Sequence, residues 1–545
     1  MSTYSVDASL FKKMFLAGAM YLESQKEVIN ELNVFPVPDG DTGTNMTLTI
    51  ISAVNEVNAI EDPDMSQLTK AISSGSLKGA RGNSGVILSQ LFRGFYKGLK
   101  GYDTITAESL KSGLNKAVET AYKAVMVPKE GTILTVAKAA SDKINEIGDE
   151  TRDLEVIGAQ IVMAMKDALD NTPELLPVLK EAGVVDSGGA GLLDVIYGMR
   201  DAFNNPDIEI KFEFEHNEEE EDESDNVYCT SFSLHHSHEF LTPQKLDFRN
   251  YLEALGDEVV FSEETDVLKV HMHTVSPGLA IEKAVSLGVL TDVSVINLKK
   301  EHKECSVKTP AKEAAAAAPA KEEPRKENGF VAVSVGEGMN EIFRGFGVDY
   351  IIEGGQTMNP STEDMLNAIA AINADNIFIL PNNSNIILAA TQARDLTKDK
   401  NVIVINSKTI PQGISAMISF MEGSSPEDNE AAMTEGLGMV KTGQITYAVR
   451  DTSIDGHEIH INDIMGLGEG KIIAVGTEIE DTAFETIISL AKEDEAELIT
   501  LYYGEGINES DAAALAERVG AELPDTDVEV HNGGQPVYYY VVSVE

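Results

Sequence analysis

The sequence predicts a multidomain chain: an all-helical N-terminal domain over residues 1–205, a small α/β domain of ferredoxin-like type over 227–300, and an α/β C-terminal domain over 329–545. Three observations predict it. Apolar residues recur at three- and four-residue spacing through the first two hundred positions, the period of a buried helix face. Beyond residue 227, short β-branched and aromatic runs alternate with helical stretches, the pattern of strands covered by helices. Between these regions lie an acidic stretch over 206–226 and an Ala/Pro/Lys/Glu-rich stretch over 301–328, both with the composition of linkers.

The totals exclude several classes. At 545 residues the chain exceeds what one core supports. Ninety acidic against 42 basic residues give a formal charge of −48, which repels nucleic acid and anionic membrane surfaces. No apolar run reaches the roughly eighteen residues of a transmembrane helix. The first residues, MSTYSVDASLFKKMF, lack the basic-then-apolar order of a signal peptide. Two cysteines, Cys229 and Cys305, fit a reducing compartment, so a cytoplasmic protein is expected.

In the first domain, Phe11, Met14, Phe15, Gly18, Tyr21, Leu22, Val28, Ile29 and Leu32 mark one helical face, and similar spacing returns over 85–99, 108–126, 133–147 and 155–170. Four glycine-rich breaks interrupt the helices. The first, Asn33–Met46 (NVFPVPDGDTGTNM), sets Asp39 and Asp41 one residue apart on a backbone loosened by Gly40, so both carboxylates can converge on a hard cation such as magnesium. An EF-hand calcium loop is excluded, because the bidentate glutamate required eleven residues after Asp39 is Ile50. The others are Lys78–Gly85, with Arg81, Gly82, Asn83 and Ser84; Glu130–Leu134, with Gly131 and Thr132; and Gly183–Gly191, with Asp186, Ser187 and Gly188. Each places glycine or a hydroxyl residue at a helix start, where unpaired N–H groups favour phosphate. Singly each reads as a helix cap. Four of one character in one helical domain read as a phosphate site.

Other routes to ATP are missing from the sequence. No GxxxxGK[ST] loop occurs, and GEGKII at 468–473 lacks the hydroxyl. All ten histidines lie beyond residue 215, so the helical domain has no histidine base for an alcohol acceptor. A carboxylate acceptor needs none, being ionised at neutral pH with a pKa of about 4–5.

The string NVFPVPDGDTGTNM, with the three later breaks in order, resembles the Dak2 (DhaL) domain of dihydroxyacetone-kinase-like proteins, and most closely that of the ATP-binding subunit of bacterial fatty acid kinase. The resemblance implies an antiparallel helical barrel holding ATP and two magnesium ions at one end. It implies metal binding by Asp39 and Asp41, with Asn33 near where the family has a third aspartate, one residue out of spacing and neutral. It implies phosphate contacts from Thr42, Gly43, Thr44, Asn45, Gly82, Asn83, Ser84, Gly131, Thr132, Asp186 and Gly188.

In the middle region, VYCTSFSL, VLKVHMHT and VSVINL read as strands and 247–255 and 278–287 as helices, giving β-α-β(β)-α-β, a ferredoxin-like order. His271 and His273 flank Met272 and share a face of their strand. With Cys229 on a neighbouring strand they make a candidate zinc site, its fourth position open to water or to His235, His236 or His238. The family's middle domain resembles this segment. It implies that Cys229, His271 and His273 form a second polar site that the acceptor visits.

In the last region, GFVAVSVG, VDYIIEGG, NIFILP and NVIVIN are short apolar strands followed by helices, the pattern of a parallel sheet. The loops Gly354–Ser361, Pro381–Asn385 and Thr409–Gly413 fall at strand ends, where such folds bind ligands. QITYAVRDT, KIIAVGT, LITLYYGEG and QPVYYYVVSVE suggest a further lobe. No long apolar substrate pocket is evident in the sequence, which fits a substrate delivered by a partner. The whole resemblance implies a homodimeric kinase subunit that phosphorylates a fatty acid presented by a separate DegV-like binding protein, giving acyl phosphate for phospholipid synthesis. A kinase for a small polyol and a nucleotide-binding regulator without turnover are the alternatives.

Overall fold

The structure is a computed structural model. It describes residues 3–34, 40–125, 127–148, 150–206, 228–235, 248, 251–252, 255–264, 267–274, 276–285, 287, 289–297, 325–355, 359–448, 452–454, 457–468, 470–494 and 496–545. Asp39, residues 207–226 of the acidic linker and 301–324 of the Ala/Pro-rich linker lie outside these residues, and residues 326–328, expected in the second linker, instead open a strand. The chain divides into two units: Met1–Lys211 with Glu323–Glu545, and Phe212–Glu322.

The helical part of the first unit comprises α1 (Ala8–Ser24), α2 (Lys26–Glu31), α3 (Thr42–Asn58), α4 (Met65–Lys78), α5 (Gly82–Gly98), α6 (Ala107–Ala124), α7 (Ile133–Ile147), α8 (Leu154–Asp170), α9 (Thr172–Leu175), α10 (Pro177–Ala182) and α11 (Ser187–Asn204). The predicted stripe supplies the buried face of α1 through Phe11, Phe15, Gly18 and Leu22. It does not continue as one helix. The chain breaks at Gln25, and Val28 is 53% exposed. Starts are fixed by side chains that accept otherwise unpaired N–H groups: Asp7 for α1, Asp64 in a capping box for α4, Thr106 for α6 and Asp186 for α11.

The helices surround a cavity of about 220 Å³ lined by apolar side chains, among them Phe11, Phe15, Ile72, Phe92, Phe95 and Met165. The lining comes from inward faces of helices distant in sequence, so no single stretch of sequence announces it.

The second unit is a four-stranded antiparallel sheet of β1 (Tyr228–His235), β2 (Gly256–Glu264), β3 (Val267–Thr274) and β4 (Val289–Asn297) in the order β2-β3-β1-β4, with α12 (Pro277–Val285) between β3 and β4. That order is the ferredoxin-like arrangement. Phe232, Leu234, Leu268, Val270 and Met272, at alternate positions on the central strands, pack with Phe248, Leu252, Ala280 and Ala284.

The C-terminal region contributes two larger sheets to the first unit, besides a two-stranded pair of Thr452–Ile454 with His457–Ile459. The first is parallel, in the order β6-β5-β7-β8, with β5 (Lys326–Ser334), β6 (Tyr350–Glu353), β7 (Ala374–Leu380) and β8 (Asn401–Val404). Alternation splits its core in two: Phe330, Ala332, Phe378 and Leu380 pack on one side, Val331, Val333, Ile377 and Ile379 on the other. Helices α13 (Glu337–Gly345), α14 (Thr362–Ala371), α15 (Ile387–Leu396), α16 (Ile410–Ile418) and α17 (Pro426–Gly436) accompany it. The second is a six-stranded mixed sheet that includes the central β9 (Lys441–Tyr447) and the C-terminal strand Tyr540–Val544. It is covered by helices Ile479–Asp494 and Glu509–Glu522. Among the described residues, no helix is long and apolar enough to cross a membrane.

Candidate functional site

The starts of α3, α5, α7 and α11 converge. Between α3 and α11, the Ser187 hydroxyl lies 3.3 Å from that of Thr42. Between α3 and α5, a Cβ on Gly82 would stand 2.5 Å from Asn45 Nδ2, and Gly82 has φ +56°, a conformation that favours glycine. A Cβ on Gly188 of α11 would meet Ile133 of α7 at 3.3 Å and Ser84 of α5 at 3.5 Å. Four positive helix ends at one place form an environment for anions. All four glycine-rich breaks of the sequence meet there.

The individual residues differ in what they do. Asp41 precedes α3 and makes no capping bond to its helix. Thr42 is buried and donates its hydroxyl to Asn33 Oδ1, and Ser187 Oγ lies 3.5 Å from the same oxygen. Asn33 is 2% exposed, so acting as a metal ligand would require it to give up these hydroxyls. A Cβ on Gly43 would stand 2.1 Å from Lys26 O, so this glycine sets the approach of α3 to α2. Thr44 is held by Asn30, whose Oδ1 accepts the Thr44 N–H and whose Nδ2 donates to its hydroxyl, both at 3.1 Å. Asn45 is buried. Gly131 has φ +82° and donates its N–H to Thr135 Oγ1 at 2.8 Å, while the Thr132 hydroxyl donates to Lys129 O at 2.8 Å.

Asp186 is buried and its Oδ2 accepts the Gly189 N–H at 2.7 Å. The Ile133 N–H, at the start of α7, also serves it. Burial pushes its carboxyl up to about 7, against the opposing pull of these two backbone donors.

The strand-end loops of the parallel sheet close on this site from the C-terminal domain. Asn359 Nδ2 donates to Asp41 Oδ2, and the Asn359 carbonyl accepts from Arg81 Nη1 at 3.2 Å. Asn83 Nδ2 donates to Asn385 Oδ1 at 2.9 Å, and the Thr362 N–H to Ala80 O at 3.1 Å. Deeper in the seam, Gln90 Nε2 donates to Gln392 Oε1 at 2.7 Å, beside buried Ala80, Val86 and Ala389. The loops Gly354–Ser361 and Pro381–Asn385, expected to hold a ligand, therefore contact the helical domain. Thr409 of the third loop bonds Thr442 at 2.8 Å.

The donor set around Asp41 suits magnesium and phosphates. Besides the helix starts, Asn359 presents a buried amide oxygen, Oδ1, with no hydrogen-bond partner among the described residues, and oxygen donors of this kind are what magnesium takes. Among the described residues no group of three His, Cys, Asp or Glu stands ready for a metal. In the second unit the register sets Cys229 opposite His273 and Ser231 opposite His271. The zinc reading gains nothing further, because the side chains of Cys229, His271 and His273 lie outside the described residues. Sequence reasoning missed Asn30, Asn359 and Gln392. Only Asn359 carried a signal, as a member of the strand-end loop Gly354–Ser361.

Three family models match the chain in order. The DAK2 domain matches residues 36–201, the FakA-like (fatty acid kinase) middle domain 225–305, and the FakA-like C-terminal domain 329–545. Protein YloV of Bacillus subtilis is 40% identical over 559 residues, covering 100% of both chains. Protein SSP1546 of Staphylococcus saprophyticus is 40% identical over 555 residues, covering 99% of each. Among solved structures, a DegV family protein of Corynebacterium glutamicum is 15% identical over 40% of this chain and 96% of its own, with a TM-score of 0.31. The dihydroxyacetone kinase of C. freundii is 18% identical over 37% of this chain and 36% of its own, with a TM-score of 0.28. Likenesses at such TM-scores add nothing to the assignment. The ordered family matches, together with relatives of 40% identity over the full length, establish that this chain belongs to the FakA-like family of fatty acid kinase proteins, whose N-terminal part is a DAK2 domain.

Proposed function

We propose that the chain is the ATP-binding subunit of a fatty acid kinase, transferring the γ-phosphoryl group of ATP to the carboxylate of a fatty acid held by a separate, DegV-like binding protein. The products are acyl phosphate and ADP. The observation that carries this reading is the convergence of four helix starts beside Asp41 within the segment matching the DAK2 domain.

The backbone N–H groups at the starts of α3, α5, α7 and α11 that are not held by Asn30 or Asp186 bind the phosphates, with Ser84 as a hydroxyl donor and Thr132 as a second once its hydroxyl leaves Lys129 O. Asp41 holds magnesium together with Asp39. When bound, magnesium supplies positive charge that neutralises the phosphates during transfer. Arg81, fixed by the Asn359 carbonyl, adds a further positive charge at the same end. The absence of histidine from residues 1–215 favours a carboxylate acceptor, since this nucleophile is already ionised and needs only positioning and charge neutralisation. Cys229, His271 and His273 belong to the reading as a second polar site for the acceptor. So do a homodimeric state, a cytoplasmic location and a supply of acyl phosphate to phospholipid synthesis.

The test supplies purified protein with ATP, magnesium and oleate, with and without a DegV-like protein from the same cell, and traps product with hydroxylamine. Hydroxamate that requires the binding protein and vanishes in Asp41→Ala supports the reading. ATP consumed on small polyols with no hydroxamate overturns it in favour of a polyol kinase.

A further inference from the structure

Asn359 reaches Asp41 across 318 positions of chain and donates to its Oδ2 through Nδ2. It is 3% exposed, and its Oδ1 is buried without a hydrogen-bond partner among the described residues. Buried polar atoms are satisfied in the great majority of cases, so an orphan calls for a donor, a water or a cation. The backbone that follows its side chain is pinned to the helical domain. The Asn359 carbonyl accepts from Arg81, and the Thr362 N–H donates to Ala80 O at 3.1 Å. Arg81 also comes within 3.9 Å of Asp364. Such a seam fixes the loop that carries the amide.

We infer that Asn359 is a positioning residue of the nucleotide–metal site, supplied in cis by the C-terminal domain. Its N–H orients the Asp41 carboxylate, and its Oδ1 stands ready as an oxygen acceptor beside that carboxylate. The C-terminal domain is then part of the phosphate-transfer site. This inference rests on reading Asp41 as a magnesium ligand. The opposite role is also physically distinct: an amide that blocks Asp41 would hold magnesium out.

The experiment uses the full chain and measures binding of a fluorescent, non-hydrolysable ATP analogue as magnesium is titrated, alongside thermal melting. Wild type should bind in a magnesium-dependent manner. Asn359→Ala should need about tenfold more magnesium, the scale typical of losing a group that orients a metal ligand. The same change in an Asp41→Ala background should add nothing. Asn359→Asp sets a second carboxylate beside Asp41, so its melting temperature should rise with magnesium more than that of wild type. Unchanged or tighter magnesium dependence in Asn359→Ala overturns the inference, the latter in favour of a block. If Asn359→Ala does not fold, a magnesium-independent loss of stability in Asn359→Asp overturns it equally. Wild type binding no nucleotide with magnesium would instead overturn the reading of the site itself.

Discussion

The carboxylate of Asp186 accepts the N–H of Gly189 at 2.7 Å at the start of α11, while Asp186 itself is only 5% exposed. A single buried carboxyl thus ties together the starts of α11 and α7, whose Ile133 N–H also serves it.

A pH dependence follows. The folded carboxyl is raised from 3.8 to about 7 by burial. Between those values the folded state keeps a proton that the unfolded state has released, so stability falls as pH rises through the window and levels off above about 7. The loss is on the order of a few kcal/mol, at about 1.4 per pKa unit. Asp186→Asn should flatten the melting-temperature curve between pH 4 and 7 and gain on wild type at pH 8. Parallel curves for the two proteins would count against it.

Gly43 should tolerate no side chain. Gly43→Ala forces its Cβ towards the Lys26 carbonyl, 2.1 Å away in the native backbone, so α2 and α3 must separate. The expected cost is about 1–3 kcal/mol, visible in chemical denaturation with no nucleotide present. Wild-type stability with weakened nucleotide binding would show that Gly43 serves the phosphates alone.

Gln392 joins the helical and C-terminal domains. It donates to Leu77 O at 2.7 Å and Thr362 Oγ1 at 3.1 Å, and accepts from Gln90. Gln392→Ala leaves buried groups on α4 and α5 without partners, at about 1–3 kcal/mol each. Hydrogen exchange over residues 77–90 should accelerate while that of the antiparallel sheet of the middle unit does not change. Uniform exchange across the chain would contradict a seam-specific role.

In the middle unit, the register of Cys229 against His273 makes zinc content a direct measurement. Elemental analysis of protein purified without chelator should give one zinc per chain, lost in Cys229→Ser. Zinc-free wild type would remove the metal from the proposed second site.

Much of the candidate site was legible because its signals are local. Asp41 follows Gly40 and Asp186 precedes Ser187 and Gly188, both at helix starts, and the run Ile133–Ile147 carries the helical period from its first residue to its last. The strands 326–334 and 374–380 could be read from runs of apolar residues alone, since a parallel sheet buries both faces. The reading failed where a local pattern had two outcomes. The period of α1 continues through Val28, but the break at Gln25 turns that residue outward.

The sequence by itself determined most of the helices, the ferredoxin-like pattern of the middle unit and the four glycine-rich breaks, because periodicity, glycine and capping residues act over a few positions. Only the tertiary structure decided that those loops meet, that a cavity lies among the helices, and that Asn359 and Gln392 of the C-terminal domain bond to Asp41 and Gln90. These facts depend on residues far apart in the chain, 145 positions for Thr42 and Ser187 and 318 for Asp41 and Asn359. The spacing of residues along a chain carries no record of which distant surfaces will be buried together.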